Sequence, residues 1–374
     1  MVKLDKLFVK FPIMFNKPIN LTFATSIHGK GGIATVLQVL DAALFFSTTK
    51  NKIICSHKNG NQFFGLSRFF SFATALVQLT YFCCFYKVGI VHVHMASRGS
   101  YSRKSIIIKL AKKLGAKVII HLHGGEFNIF YSTESSISKQ SQIRDSFNMA
   151  DKIIVLSEQW LEWVNSIIDD QSKTVIVYNG VPKVVSNERV QDKSIIIFLG
   201  KLCKAKGVDD LIDAFQRLHL QFPNTELHLA GNGDVEHYRQ KVSELALAKH
   251  IHFLGWISGK EKNECLANAS IYCLPSYNEG FPMGVLEAMS SEVVVVASKV
   301  GGIPDAITDE QEGLLIDAGD VNGLTVALSK LLTDETLSSQ LSKAAKAKYE
   351  NNFTPEAIVP KLCGIYDELL EENK

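Results

Sequence analysis

The sequence predicts an α/β protein built from two doubly wound, parallel-sheet domains. Both halves alternate strand-like runs rich in β-branched residues with amphipathic stretches of helical length. Examples are VGIVHVH and KVIIHLH in the first half, and SIIIFLG, TELHLAG and IHFLGWI in the second. Repeated strand–helix alternation implies parallel strands with helices on both faces. The valine run at 293–296 has no polar alternation, as expected of a strand covered on both sides. The 374 residues are enough for two cores. Residues 183–193 (KVVSNERVQDK) are polar and aperiodic, as a linker should be. The expected division is 1–185 and 186–354, with 355–374 as a final helical segment in which Pro360 interrupts or restarts the pattern.

Composition is that of an ordinary globular protein and excludes collagenous, disordered and coiled-coil classes. The net charge of +2 conceals an asymmetry: residues 1–185 hold 22 Lys+Arg and 10 Asp+Glu, and the remainder 18 and 28. A basic half suggests an anionic surface or substrate such as phospholipid headgroups, a lipid-linked pyrophosphate or a nucleic acid, against the plainer reading of a solvated face. Seven scattered cysteines without a Cys-x-x-Cys pair read as reduced residues of a cytoplasmic protein. The start, MVKLDKLFVKFPIMFNK, mixes charge into its apolar residues and does not read as a signal peptide. Residues 69–86 (FFSFATALVQLTYFCCFY) lie at the lower limit for a membrane span, and their Ser, Thr and Gln favour a buried or membrane-surface helix.

In chain order, residues 19–25 (INLTFAT) read as a strand followed by a glycine-rich loop, Gly29, Gly31 and Gly32, that opens a helix. Such a loop lets backbone amides approach an anion, although it lacks the dinucleotide fingerprint Gly-x-Gly-x-x-Gly. Two His-x-His pairs, His92/His94 and His121/His123, each place both rings on one strand face. That spacing invites either a metal or a structural reading. Between the pairs, a basic helix carries Arg98, Arg103, Lys104, Lys109, Lys112 and Lys113. The loop after the first strand of the second half, residues 200–207 (GKLCKAKG), presents Lys201 and Lys206 where ligands bind in such sheets.

The stretch at 275–305, PSYNEGFPMGVLEAMSSEVVVVASKVGGIPD, carries the most chemistry. Glu279 lies in a turn-rich loop and Glu287 in an apolar helix. Carboxylates in such surroundings need partners, and a hydroxyl-rich ligand supplies them. The amides at 281–285 face out of a helix start, where the macrodipole favours phosphate. Glu292 stands directly before the valine run; a left-handed conformation there would cost a glutamate about 1 kcal/mol relative to glycine.

The string EGFPMGVLEAM followed by GGIPD resembles the donor-site signature of glycosyltransferase family 4, whose members are retaining, metal-independent enzymes of the two-domain GT-B architecture. The likeness covers nearly the whole chain and is weakest over 1–18 and 45–85. It implies two Rossmann-like domains facing a central cleft, with the 355–374 segment crossing back to pack on the first. It also implies that Glu279 and the backbone at Phe281, Pro282 and Met283 bind donor-sugar hydroxyls, and that Glu287 binds the ribose. Lys201, Lys206, Gly284 and the Gly31–Gly32 loop would hold the diphosphate. Lys201 stands where the family usually has Arg, so a bidentate fork becomes a point charge. HLHGGEF resembles the acceptor-side motif, implicating His123, Gly124, Gly125 and Glu126, with His123 ahead of His121. The YNGVP at 178–182 resembles the interdomain hinge. IHFLGWI resembles the segment lining the nucleobase pocket, with Trp256 read as packing.

Glu279, Lys206 and His123 are thus the catalytic candidates, with no metal and no cofactor beyond the nucleoside-diphosphate sugar, UDP favoured over GDP. The expected acceptor is a glycan or polyprenyl-linked oligosaccharide of surface polysaccharide synthesis, with peripheral contact to anionic membrane and no nucleic acid. The alternatives are a nucleotide-sugar epimerase of the same architecture and a two-lobed sugar-binding protein without chemistry. A phosphorylase would need a pyridoxal phosphate lysine site that the sequence does not display.

Overall fold

A computed structural model describes residues 15–29, 31–57, 64–184 and 194–371. The N-terminal segment to residue 14 and the linker from 185 to 193 lie outside the described residues. The chain divides into two compact units. The first comprises Met1–Leu156, Leu161–Val177 and Val359–Lys374, and the second Ser157–Trp160 and Tyr178–Ile358.

Six parallel strands form the sheet of the first unit: β1 (Phe15–Ala24), β2 (Asn51–Cys55), β3 (Tyr86–Met95), β4 (Lys117–Leu122), β5 (Lys152–Val155) and β6 (Thr174–Ile176). Their order is β2-β1-β3-β4-β5-β6. The order reverses between β1 and β3, which makes a crevice for ligands at the carboxyl ends of those strands. The glycine-rich loop leaves β1, and β3 carries the first histidine pair. The second unit holds β7 (Ile195–Leu199), β8 (Glu226–Ala230), β9 (Ile251–Gly255), β10 (Ile271–Leu274), β11 (Val294–Ser298) and β12 (Gly313–Ile316). Here the order is β12-β11-β10-β7-β8-β9, the doubly wound arrangement with its reversal between β7 and β10. β11 is buried at every position, as its valine run requires. The predicted α/β class with two parallel sheets is therefore correct.

Strands β2, β10 and β12, of four or five residues, are the ones that the sequence pattern does not single out. The interruption expected at Pro360 does not occur. One helix runs Pro355–Glu371 through it, the proline removing only its own amide from the ladder. From Val359 onward this helix belongs to the first unit. Tyr366 is 1 % exposed, packs edge-on against Phe45 and accepts a hydrogen bond from Asn51 Nδ2 at 2.7 Å.

The basic helix Gly99–Lys113 is less of a solvated face than its sequence suggests. Lys104 is fully buried, donates to Ser56 Oγ, and is pushed down to about 7 by desolvation. Lys112 pairs with Asp151 at 2.7 Å. The helix Phe64–Phe85 buries Ala75, Leu79 and Phe82, yet exposes Phe69, Phe70, Val77 and Tyr81. Among the described residues no helix is long and apolar enough to cross a membrane.

Glu292 does sit in the left-handed region, at φ 57°. It closes the helix Met283–Ser290: Glu292 N donates to Met289 O at 3.1 Å and Val293 N to Ala288 O at 2.9 Å, a Schellman cap that favours glycine. A compensating contact exists, because Lys346 Nζ reaches Glu292 Oε2 at 2.8 Å. Relief of the backbone is worth about 1 kcal/mol and a partly exposed pair about 0.2–1 kcal/mol. Glu292→Gly should therefore raise Tm by at most a few degrees. In a Lys346→Ala background, where the pair is already gone, the same change should stabilise by about 1 kcal/mol, with kcat unchanged in both. A larger gain in the wild-type background, read by denaturant unfolding, would contradict this account.

Candidate active site

In the second unit, the loops at the carboxyl ends of β7 and β10 meet at the point where the strand order reverses. The β7 loop tightens into a 3₁₀ turn, Lys204–Lys206, and Tyr277 N donates to Ala205 O at 3.0 Å, tying it to the β10 loop. This brings Lys206 Nζ to 2.5 Å from Glu279 Oε1. Ser276 Oγ donates to the same oxygen at 2.8 Å. Glu279 is only 7 % exposed, so its carboxylate is held by an ammonium and a hydroxyl in place of water.

The backbone of this loop is fastened as firmly as its side chain. Trp160 Nε1 donates to Glu279 O at 3.3 Å, and Asn179 Nδ2 to Phe281 O at 2.8 Å. Tyr178 stacks on the buried Phe281 ring at 4.9 Å and hydrogen-bonds Asp305. The YNG residues expected at a hinge follow directly on the boundary between the units at Val177/Tyr178, belong to the second unit and brace the loop that carries Glu279. The Gly-Gly of GGIPD has a steric reason. Gly301 has φ 58°, and a Cβ there would lie 2.0 Å from Glu279 O.

The helix Met283–Ser290 begins at Pro282, leaving its first amides without partners in the helix. Val285 N donates back to Pro282 O at 3.2 Å, so of the amides expected to face a phosphate, those of Met283 and Gly284 lead. Glu287 is 9 % exposed and receives Lys262 Nζ at 2.6 Å. Burial raises its pKa, and Lys262 opposes the rise. Gly284 leaves room for Tyr272: a Cβ at that glycine would lie 2.3 Å from the phenol oxygen. Tyr272 is fully buried with its hydroxyl unbonded. Its pKa is raised, first by desolvation and then by the charges of Glu279 and Glu287, which both carboxylates exert from nearby.

The structure therefore brings Lys206, Glu279 and Glu287 to one buried region around Tyr272. Lys201 is exposed, and among the described residues no ion pair joins it to either glutamate. Lys262, Ser276 and Tyr272 are the residues that sequence reasoning missed. Tyr272 alone left a signal, as the one tyrosine inside the apolar IYCL run. Trp256, expected to pack, is instead 41 % exposed.

In the first unit, Gly31 adopts φ 119° as the cap of the helix Gly32–Ala42, with Gly32 as its first residue. His123 follows β4 directly and donates its backbone N–H to Met95 O at 2.8 Å. Four imidazoles form a stack: His94 faces His121 across β3 and β4, and neighbouring ring centroids lie 4.2–5.3 Å apart. His94 Nδ1 lies 2.8 Å from His123 Nε2, His92 Nε2 3.3 Å from His121 Nδ1, and His92 Nδ1 2.9 Å from Tyr366 Oη. Ligand nitrogens of His92, His94 and His121 also lie within 4.8 Å of one another, but the near-parallel rings direct their lone pairs side by side, and nitrogens are engaged with neighbouring rings and with Tyr366. The structural reading of the two His-x-His pairs is therefore the better one for His92, His94 and His121. Gly124 packs near Ala96, and Gly125 leads to Glu126, whose carboxylate is paired with Arg98 Nη1 at 2.5 Å.

Burial pushes His92 and His123 down to about 3, and His94 and His121 well below the ordinary value. All four are neutral at pH 7, so His123 can accept a hydrogen bond but holds a proton poorly. An unfolded chain titrates its imidazoles near 6.5. Between about pH 6.5 and 3 it therefore binds more protons than the folded chain, and stability must fall as pH drops through that window. Denaturant unfolding at pH 7.5, 6 and 5 should show this loss, at up to about 1.4 kcal/mol per pH unit for each histidine. His121→Gln should flatten the slope by roughly one proton. An unchanged slope would place the acid sensitivity elsewhere.

Two family models match end to end: Glycosyltransferase Family 4 over residues 52–183 and Glycosyl transferases group 1 over 183–348. The N-acetyl-alpha-D-glucosaminyl L-malate synthase of Bacillus anthracis is 27 % identical over 304 residues, 77 % of this chain and 76 % of that protein. Among solved structures, the sucrose-phosphate synthase from Thermosynechococcus elongatus superposes with a TM-score of 0.78 at 20 % identity, covering 95 % of this chain and 100 % of that one. An Anabaena protein in complex with UDP and glucose reaches 0.74 at 16 % identity, covering 93 % and 99 %. These two likenesses establish the fold, and the matched models tile the greater part of both units. The chain belongs to the group 1, family 4 glycosyltransferases, with the GT-B fold.

Proposed function

We propose that this glycosyltransferase moves a hexose or N-acetylhexosamine, with retention, from a UDP-sugar to a glycan or lipid-linked oligosaccharide in surface polysaccharide synthesis. The observation that carries the reading is the pair of half-buried Lys206 with buried Glu279, set where the strand order reverses, with Glu279 and Glu287 both acting on Tyr272. The UDP and glucose bound by the Anabaena structure, and the N-acetylglucosaminyl group in the Bacillus relative's name, support the donor.

In this mechanism the bond between the anomeric carbon and the diphosphate oxygen breaks while the acceptor hydroxyl bonds on the same face. The acceptor proton passes to the departing diphosphate oxygen. Lys206 exchanges its carboxylate for the diphosphate as sugar hydroxyls take its place on Glu279. Lys201 and the amides of Met283 and Gly284 add positive potential, so fixed charge takes the part that a metal would otherwise play. Glu287 accepts from the ribose while keeping Lys262, and Tyr272 offers its hydroxyl to the same donor. His123 lies toward the acceptor, with Gly124, Gly125 and Glu126 shaping that side. The apolar residues exposed on Phe64–Phe85, with Ile106 and Lys109 exposed on the Gly99–Lys113 helix, suit a lipid surface that presents the acceptor.

A panel of nucleotide sugars tests the donor. At 100 times its Kd a true donor raises apparent stability by about 2.7 kcal/mol and should be hydrolysed slowly in the absence of acceptor. Glu279→Gln should lower kcat/KM by roughly 10–100-fold through loss of charged hydrogen bonds. If no nucleoside-diphosphate sugar stabilises the protein, the reading fails. In flotation assays, the chain should bind vesicles rich in anionic lipid, lose them at high salt, and bind less well after Phe70→Ser with Tyr81→Ser. Equal partition onto neutral vesicles would remove the electrostatic part of the membrane proposal.

A further inference from the structure

The second sheet carries a set of side chains that the donor loops do not use. Glu226 and His228 are two residues apart on β8 and so share one face of the sheet. Strand β9, at the edge, pairs with β8 so that His252 stands directly opposite His228. His228 Nε2 lies 3.3 Å, and His252 Nε2 3.6 Å, from the same oxygen, Glu226 Oε2. The two imidazole planes are 84° apart, and the three ligand atoms all lie within 4.8 Å of one another. Side-chain exposures of 18 % for Glu226, 20 % for His228 and 40 % for His252 leave the cluster open to solvent on one side.

We infer that Glu226, His228 and His252 form a binding site for a zinc-class divalent metal. In a tetrahedral centre with bonds of about 2.0–2.2 Å, adjacent ligand atoms stand about 3.3–3.6 Å apart; the observed 3.3 and 3.6 Å to Glu226 already match. Two imidazoles and one carboxylate suit zinc, cobalt or nickel and supply too few oxygens for calcium or magnesium. The contrast with the first unit is geometric. There the stacked rings run parallel, whereas here two crossed rings converge on one carboxylate oxygen. The metal displaces the protons that neutral or charged imidazoles would otherwise hold toward Glu226.

The site stands apart from sugar transfer. Glu226 and His228 precede Ala230, the end of β8, by four and two residues, about 13 and 7 Å of strand. Its effect is mechanical: it fixes edge strand β9 to β8. The end of that strand receives Gly231 N on Gly255 O at 2.7 Å, next to the loop that braces Leu202. A bound ion would therefore stiffen the sheet beneath the donor loops without touching the donor.

The test uses the full chain, stripped with a chelator and titrated with cobalt(II) and then zinc(II). About one cobalt per chain should bind with the visible absorption of a nitrogen–oxygen tetrahedral centre and no thiolate charge-transfer band, and zinc should displace it and raise Tm saturably. Glu226→Gln with His252→Gln should weaken binding by more than about 100-fold, since even outer-sphere changes cost 10–100-fold. His252→Asn alone, on the edge strand, is the reserve variant should the double change fold poorly, and it too should lose the cobalt spectrum. His94→Gln should keep the stoichiometry. Absence of stoichiometric binding, a thiolate band, or undiminished affinity in the Glu226 and His252 variants would overturn the assignment.

Discussion

A carboxylate withdrawn from water must be met by a cation or by several hydrogen-bond donors, and the second unit is arranged around one such encounter. Lys206 and Ser276 hold Glu279, while Trp160 and Asn179 hold the backbone on which it and Phe281 ride. The GGIPD turn presses so closely against that backbone that a side chain at Gly301 has no room. Removing Lys206 alone would leave a buried charge uncompensated, so its loss strikes stability as well as chemistry. In the proposed reaction, sugar hydroxyls take the place of the ammonium on Glu279 and so free its positive charge for the diphosphate.

The same logic separates the histidines. In the first unit His92, His94 and His121 are buried, and with the half-buried His123 they form a neutral stack on which His123 rests. In the second, two rings cross at a carboxylate near the sheet edge and keep contact with solvent. Residue type is shared, and orientation decides what each group can do.

Much of the architecture could be read from the chain, for local reasons. The valine run before Ala297 announces a strand covered on both faces, and the eight-residue step from Glu279 to Glu287 ties a loop to the helix that follows it. Lys262 and Ser276 were illegible, and Tyr272 showed only as a tyrosine in an apolar run, because their importance depends on which distant segments the sheet order brings together. Lys262 reaches Glu287 across 25 positions. Strands of four residues such as β10 and β12 carry too few positions for a period to show. Pairing of His228 with His252 exists only once β8 and β9 take their register. Glu292 was legible as a departure, but its offset by Lys346 was not, since that partner lies 54 residues away.

The first unit is closed by the last residues of the chain. Tyr366, Leu362 and Leu369, each about 1 % exposed, fill its core, and Tyr366 also meets His92 and Asn51. During synthesis the ribosome must deliver the whole of the second unit before this plug arrives. Until then Phe45 and the strands around His92 lie open at one side, so the nascent first unit waits half-finished until the helix from Val359 onward has been made. Premature termination near residue 350 would spare Lys206, Glu279 and Glu287 and still leave the first unit without its keystone.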